Sequence, residues 1–215
     1  MTRLTKDQII QHRTQLERSE DPEKMLHNCE ELMDCMGSAD LFTHPGVDFI
    51  PEGWAAAKFA QRRSADNVRL IPQRDQWPDF ELLFGGQKES WEFTEADIPD
   101  RRRGDEYQAG RSLATQDPVE DWIKRAEQAP EAIRQRCTNK VAKHYSGRAG
   151  LLVYLNIGEF GISQAEIEAS FKDATRSAKD AFSEVWVLWK ERAYPIWKDG
   201  RPVFSARCVT KNVPG

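Results

Sequence analysis

Two short runs constrain this chain more than anything else in it: "GLLVYLNIG" (150–158) and "EVWVLWK" (184–190) are apolar almost throughout. A strand with one wet face alternates, whereas a strand apolar at successive positions is covered on both sides, as in the interior of an α/β sheet. Between the two runs, Ser163 and Glu166 form a capping box, and Ile167, Phe171, Ala174, Ala178 and Phe182 keep a helical repeat over 163–182. Upstream, "EGWAAAKFAQRRS" from Glu52 reads as a helix that packs through Trp54, Ala57, Phe59 and Ala60. Three strands follow at 68–72, 79–84 and 89–95. Asp117, Pro118 and Glu120 start another helix, which Pro130 is expected to break or kink, with a second helical segment over 131–145. Lys198-Asp199-Gly200 marks a closing hairpin. Strands joined by helices imply a mixed central sheet flanked by helices, hence an α/β fold with an antiparallel meander on its first side.

Ahead of this core, residues 5–18 and 21–36 read as helices. Asp21-Pro22 is a cap followed by a first-turn proline, and Met25, Cys29 and Met33 recur on one face. "GSADLFTHPGVDFIP" (37–51) reads as a linker. The expected organisation is an N-terminal helical segment, 1–45, attached to an α/β core, 46–215.

No apolar run approaches the ~20 residues that cross a bilayer, and the charged N-terminus lacks the apolar centre of a signal peptide. The expectation is a cytoplasmic protein with no membrane partner. Cys29, Cys35, Cys137 and Cys208 have neither zinc-motif nor disulfide-scaffold spacing and read as small hydrophobes. The net charge of −4 does not advertise a nucleic-acid binder, but the charge is uneven. From Arg134 to Arg148 there are five basic residues and no acid, and "DRRRGDEYQAGR" holds three consecutive arginines.

The chemistry lies in "WPDFELLFGGQKESWEFTEAD" (77–97). Alternation puts Phe80, Leu82 and Phe84 on one face of the first strand and Asp79, Glu81 and Leu83 on the other. A four-residue loop sets Glu81 opposite Glu92, and a two-residue loop sets Asp79 there. Either register stacks Phe80 and Leu82 with Trp91 and Phe93, so Asp79 and Glu92 share a face. Like charges across a strand pair repel. The face is either a wet one or the seat of a divalent cation such as Mg²⁺, which takes one or two carboxylates and keeps several waters.

Pro78-Asp79 followed thirteen positions later by Glu92-Phe93-Thr94 resembles the PD-(D/E)xK, or restriction-endonuclease-like, nuclease superfamily. The order of elements over roughly 52–190 is similar to that fold. The resemblance implies a metal-dependent nuclease, with Asp79 and Glu92 as ligands of Mg²⁺ or Mn²⁺ and Glu52 as an auxiliary acid of the metal shell. In the family pattern a lysine stands two residues after the second acid; here that position is Thr94. At ~100° per residue, Ile133, Cys137, Val141 and His144 form one helical stripe and Lys140 borders it. A lysine there either snorkels or pairs with acids on the sheet, and the second case makes Lys140 a migrated catalytic lysine. His144, on the same stripe, reads as a core histidine. Arg101, Arg102, Arg103 and Lys143 are the candidate contacts to nucleic acid, DNA first. The alternatives are a catalytically inactive module of the same fold that binds nucleic acid or protein, and a homodimer built on the N-terminal helices.

Overall fold

The computed structural model describes residues 4–44, 46–72, 77–97, 119–145, 148–157 and 164–203. The element order is α1 (Lys6–Leu16), α2 (Pro22–Thr43), α3 (Phe49–Arg63), β1 (Asn67–Leu70), β2 (Phe80–Phe84), β3 (Gln87–Ala96), α4 (Val119–Val141), β4 (Gly150–Leu155), α5 (Gln164–Ala174), β5 (Glu184–Trp189), β6 (Arg192–Lys198) and β7 (Arg201–Pro202), with a 3-10 turn at Arg176–Ala178. The seven strands form one sheet in chain order. β1, β2 and β3 are antiparallel, β3, β4 and β5 are parallel, and β6 and β7 return antiparallel. The fold is mixed α/β, as the two apolar runs imply.

Those runs are the middle of the sheet, and their side chains divide between two cores. Leu152 and Leu188 point to a cluster built with α1, α2 and α3 around Met25, Phe49, Phe59, Phe80 and Trp91. Leu151, Val153, Val185 and Val187 point to a second cluster under α4 and α5, around Ile133, Cys137, Phe171 and Trp189. Each large side chain removed from water contributes about 1.5–3 kcal/mol before conformational entropy is subtracted. The residues expected as a separate N-terminal segment share the first cluster: Ile9, Leu16, Cys29 and Met36 are buried in it with the sheet. Glu20 and Val68 also exchange backbone hydrogen bonds beside the free edge of β1.

Four expectations are corrected. The stretch 37–43, expected as linker, continues α2, so its glycine and serine do not stop a helix already docked on α3. Pro130 lies inside one unbroken α4, where expectation had two segments. Buried Ala126, Ala129, Ala132 and Ile133 hold that helix to the sheet on both sides of the proline, so packing offsets the lost hydrogen bond. α4 ends at Val141 rather than Tyr145. The helix expected over 163–182 stops at Ala174 and gives way to the 3-10 turn. The closing hairpin forms as expected, with Asp199 and Gly200 both at positive φ.

Candidate active site

The β2–β3 register decides which acids meet. Phe84 pairs with Gln87 and Phe80 with Trp91, so the loop is the two-residue Gly85-Gly86. Both glycines have positive φ, 54° and 84°, as a tight hairpin turn demands and a side chain resists. The same register carries Asp79 to the position opposite Glu92. It sets Glu81 against Ser90 instead, and Glu81 is bound by Arg69 of β1 at 2.6 Å. Of the three acids on this face, two are left to face α4.

Backbone bonding fixes Asp79 firmly. Its N–H donates to the Trp91 carbonyl and its carbonyl accepts from Ile71, which ties it between β1 and β3 just before β2 begins. Its Oδ2 accepts from the Phe93 N–H at 2.7 Å. Glu92 is 1% exposed, and Gly150 of β4 helps hold its strand in place. A Cβ on Gly150 would overlap the ring of Trp91, so only glycine lets β4 approach at that point of the register.

Lys140 completes the group. It sits in the last turn of α4, one helical turn beyond the buried Cys137. Its Nζ donates to Asp79 Oδ2 at 3.0 Å and to Glu92 Oε2 at 2.6 Å. Its side chain is 11% exposed. Two of the three ammonium protons are thereby used, and the amine also lies 5.9 Å from the centre of the Tyr145 ring. Tyr145 follows the helix, placed by a reversal at His144 (φ 50°). Its ring packs between Trp77, at 6.1 Å, and Phe182, at 6.2 Å.

The electrostatics are those of a proton-retaining site. Burial, then the charge of Asp79, raises Glu92 above the ordinary carboxylate value, and this outweighs the opposing pull of Lys140. Burial acts to lower Lys140, but the charges of Asp79 and Glu92 and their hydrogen bonds prevail, so its ammonium is held above the usual lysine value. Burial, followed by contact with Glu92, pushes the Tyr145 phenol upward. The Tyr145 phenol lies within hydrogen-bonding reach of Glu92, and that interaction acts on both groups. The Tyr145 hydroxyl and Glu92 Oε1 are both buried without a hydrogen-bond partner. Glu52, in the first turn of α3, is raised to about 8 by burial and by Asp79.

The structure therefore brings Asp79, Glu92 and Lys140 into direct contact, with Glu52 within reach of their charges. Among the described residues, no three His, Cys, Asp or Glu side chains converge closely enough to hold a metal ion, so Glu52 is a neighbour rather than a third member of a cluster. Arg101, Arg102 and Arg103 lie outside the described residues. Lys143 is exposed near the end of α4, as are Arg134, Arg136 and Arg148. Arg134 pairs with Glu131 and Arg148 with Asp199, whereas Arg136 and Lys143 have no ion pair among the described residues. His144 is exposed and not the core histidine that the helical stripe suggested, because the helix ends before it.

No family model, curated protein or solved structure matches this chain. No helix among the described residues is long and apolar enough to cross a membrane.

Sequence reasoning overlooked Tyr145 and Trp77. Five helical residues separate Lys140 from Tyr145 by about 140° at 100° each, so periodicity gives no reason to place them together. The turn after Val141 does.

Proposed function

We propose that this chain is a metal-dependent nuclease of restriction-endonuclease-like type, hydrolysing nucleic-acid phosphodiesters, with DNA the first substrate to test. One observation carries the reading: a single buried ammonium from α4 donates to both carboxylates that the hairpin register brings together. This supplies from a helix the cation that the family pattern takes from the position occupied here by Thr94.

The residues suit a hard divalent ion. Two carboxylates supply oxygen donors, and Glu92 Oε1 is buried without a partner, a costly state unless a cation or a donor meets it. Asp79 and Glu92 would hold Mg²⁺ or Mn²⁺, with waters or substrate oxygens filling the remaining positions. When bound, the ion supplies charge stabilisation and a more acidic water. The chain's own groups do the rest. Lys140 remains an ammonium at neutral pH, so it acts as a fixed positive charge and hydrogen-bond donor rather than as a base. The Phe93 N–H holds Asp79 in one orientation. The exposed Arg136 and Lys143 offer charge to the phosphate backbone.

The second reading is an inactive module of the same fold that binds nucleic acid or protein. It is favoured by the same ammonium, which balances the acids without any metal.

The deciding experiment is cleavage of circular and linear DNA and of RNA, with Mg²⁺ or Mn²⁺, by the wild type beside Glu92→Ala. Metal-dependent cutting that disappears in Glu92→Ala supports the nuclease. No cutting by either protein, with thermal stability unmoved by metal, sinks the nuclease and leaves the binding module.

A further inference from the structure

The register that sets Asp79 against Glu92 leaves Glu81, the third acid of the face, outside the group that Lys140 joins. Glu81 stands opposite Arg69 of β1 and diagonal to Lys88 of β3. Arg69 aims two donors at one oxygen of Glu81, Nε at 2.7 Å and Nη2 at 2.6 Å. The Lys88 ammonium lies 3.7 Å from the same oxygen. Two cations thus share one carboxylate, and the group keeps a net positive charge. A guanidinium carries five N–H donors, so Arg69 is held in one orientation with donors to spare.

This part of the sheet is open. α4 packs on β3 and β4, and no residue of β1 or β2 belongs to the cluster beneath α4 and α5. The Arg69 side chain is 32% exposed and that of Lys88 56%, whereas Glu81 between them is 13% exposed. The acid is covered by its cations, and the cations face outward. A cross-strand ion pair needs only one cation; the second, with the open face, suits an anion.

The position matters as much as the charge. Asp79 and Glu81 are two residues apart and point to the same side, about 6.8 Å apart along the strand. Successive phosphates of one nucleic-acid strand advance about 3.4 Å along a duplex axis. A strand with one phosphate at the acids therefore carries another to Arg69 within about two nucleotides.

We propose that Arg69 and Lys88 bind the phosphate backbone of the substrate beside the bond that is cut, with Glu81 as the residue that positions Arg69. The inference rests on the nuclease reading and gives that site a direction: the substrate strand leaves the acids along β2, toward the Gly85-Gly86 turn.

The test is the double variant Arg69→Gln/Lys88→Gln beside the wild type. Three quantities are measured: the melting temperature, the binding of a DNA duplex without metal over a range of salt, and cleavage kinetics with Mn²⁺. Each phosphate contact contributes about 0.9 to the slope of log affinity against log salt, so the double variant is expected to lose roughly 1–2 from that slope. At 0.1 M salt KM is expected to rise on the order of 10-fold or more, with kcat level. Arg69→Lys keeps the charge and loses the fork, so it is expected to keep the slope. Should the double variant not fold, Lys88→Gln alone carries the same test at one contact, since its side chain is mostly exposed. Unchanged slope and KM, whatever the melting temperature does, mean that the pair only ties β1 to β2. That result overturns the proposal and leaves the nuclease intact where the wild type cleaves. A wild type that binds DNA without cutting it, with the slope lowered in the double variant, keeps the contact and removes the nuclease. A wild type that neither binds nor cuts removes both.

Discussion

The sheet carries a buried cation between two acids on each of its faces, and the two arrangements differ in one respect. On the α3 side, Arg63 bonds Glu89 at 3.0 Å and Glu184 at 3.4 Å. Its guanidinium lies 5.0–5.7 Å from the ring centres of Phe59, Phe84, Trp91 and Trp186. Both Glu89 oxygens accept from Arg63, and Glu184 also accepts from Lys198 and from the Trp186 indole, so every carboxylate oxygen has a partner. On the α4 side, Lys140 holds Asp79 and Glu92, but Glu92 Oε1 has nothing. The titrations follow. Burial acts to raise Glu184, but Lys198, Trp186 and Arg63 together bring it below the ordinary carboxylate value. Glu92, two strands away on β3, is raised. Each cluster pairs a mostly buried cation with one well-covered acid and one more exposed acid, so burial alone does not separate them. Completeness does: in the first every carboxylate oxygen is bonded, and in the second one oxygen of Glu92 is left over.

The strongest way to break this comparison is to remove an acid from each side. Glu92→Ala is expected to abolish metal-dependent cleavage, by on the order of 10³-fold or more in kcat, and to leave the fold intact in thermal denaturation. Glu89→Ala should leave cleavage at the wild-type level in the same assay. Next in size is Arg63→Leu, which leaves Glu89 and Glu184 without their shared cation. Glu89 is 39% exposed, so the cost is expected below the roughly 3–5 kcal/mol of a fully buried pair, to be read as a shift in the denaturant midpoint with no change in kcat for the fraction that remains folded. Equal losses of activity from the two sides would erase the distinction.

Lys140→Met sharpens it. With the ammonium gone, two facing carboxylates repel across β2 and β3. The variant should be less stable than wild type at pH 8, should recover as pH falls and Glu92 takes a proton, and should gain more from Mn²⁺ in a thermal shift than wild type does. An identical Mn²⁺ shift in the two proteins would mean that the acids do not receive the cation.

The smallest effects are in pH, and their signs are opposite. Glu92 has a folded value above its ordinary 4.5, so the folded state holds the extra proton. Stability from this group is fully present below 4.5 and is lost as pH rises through the raised value. Glu52 behaves alike over the window from 4.5 to about 8. Glu184 is depressed, so its contribution is present above 4.5 and is lost as pH falls through the lowered value. Glu92→Gln should flatten the neutral side of a plot of melting temperature against pH, and Glu184→Gln the acidic side.

Much of this was legible in the residues. The apolar runs 150–158 and 184–190 required a sheet covered on both faces. Alternation alone put Asp79 and Glu92 on one face, and helical periodicity put Lys140 at the border of the inward stripe. The register was not legible, because "GGQK" suits a loop of two residues or of four and the apolar pairing accepts both. The length of α2 and the continuity of α4 were hidden for another reason. Gly37, Ser38 and Pro130 oppose a helix locally, and the packing that overrides them comes from residues distant in sequence. Tyr145 was invisible because a turn, not a helix, delivers it.

The Gly85-Gly86 turn has a reach beyond its own end of the hairpin. It lies six residues from Asp79, roughly 20 Å along an extended strand, and it never touches the acids or Lys140. Its length nonetheless selects which acid faces Glu92. Were Gln87 and Lys88 to leave β3 and join the turn, so that Phe84 met Glu89, β2 would slide by a full pleat period and Glu81 would take the place of Asp79, with every apolar residue still facing the core. The hydrophobic pattern would not resist such a slip, so the pair of glycines is the gauge that aligns the acids, and losing that two-residue turn would change which acid faces Glu92 from the far end of the strand.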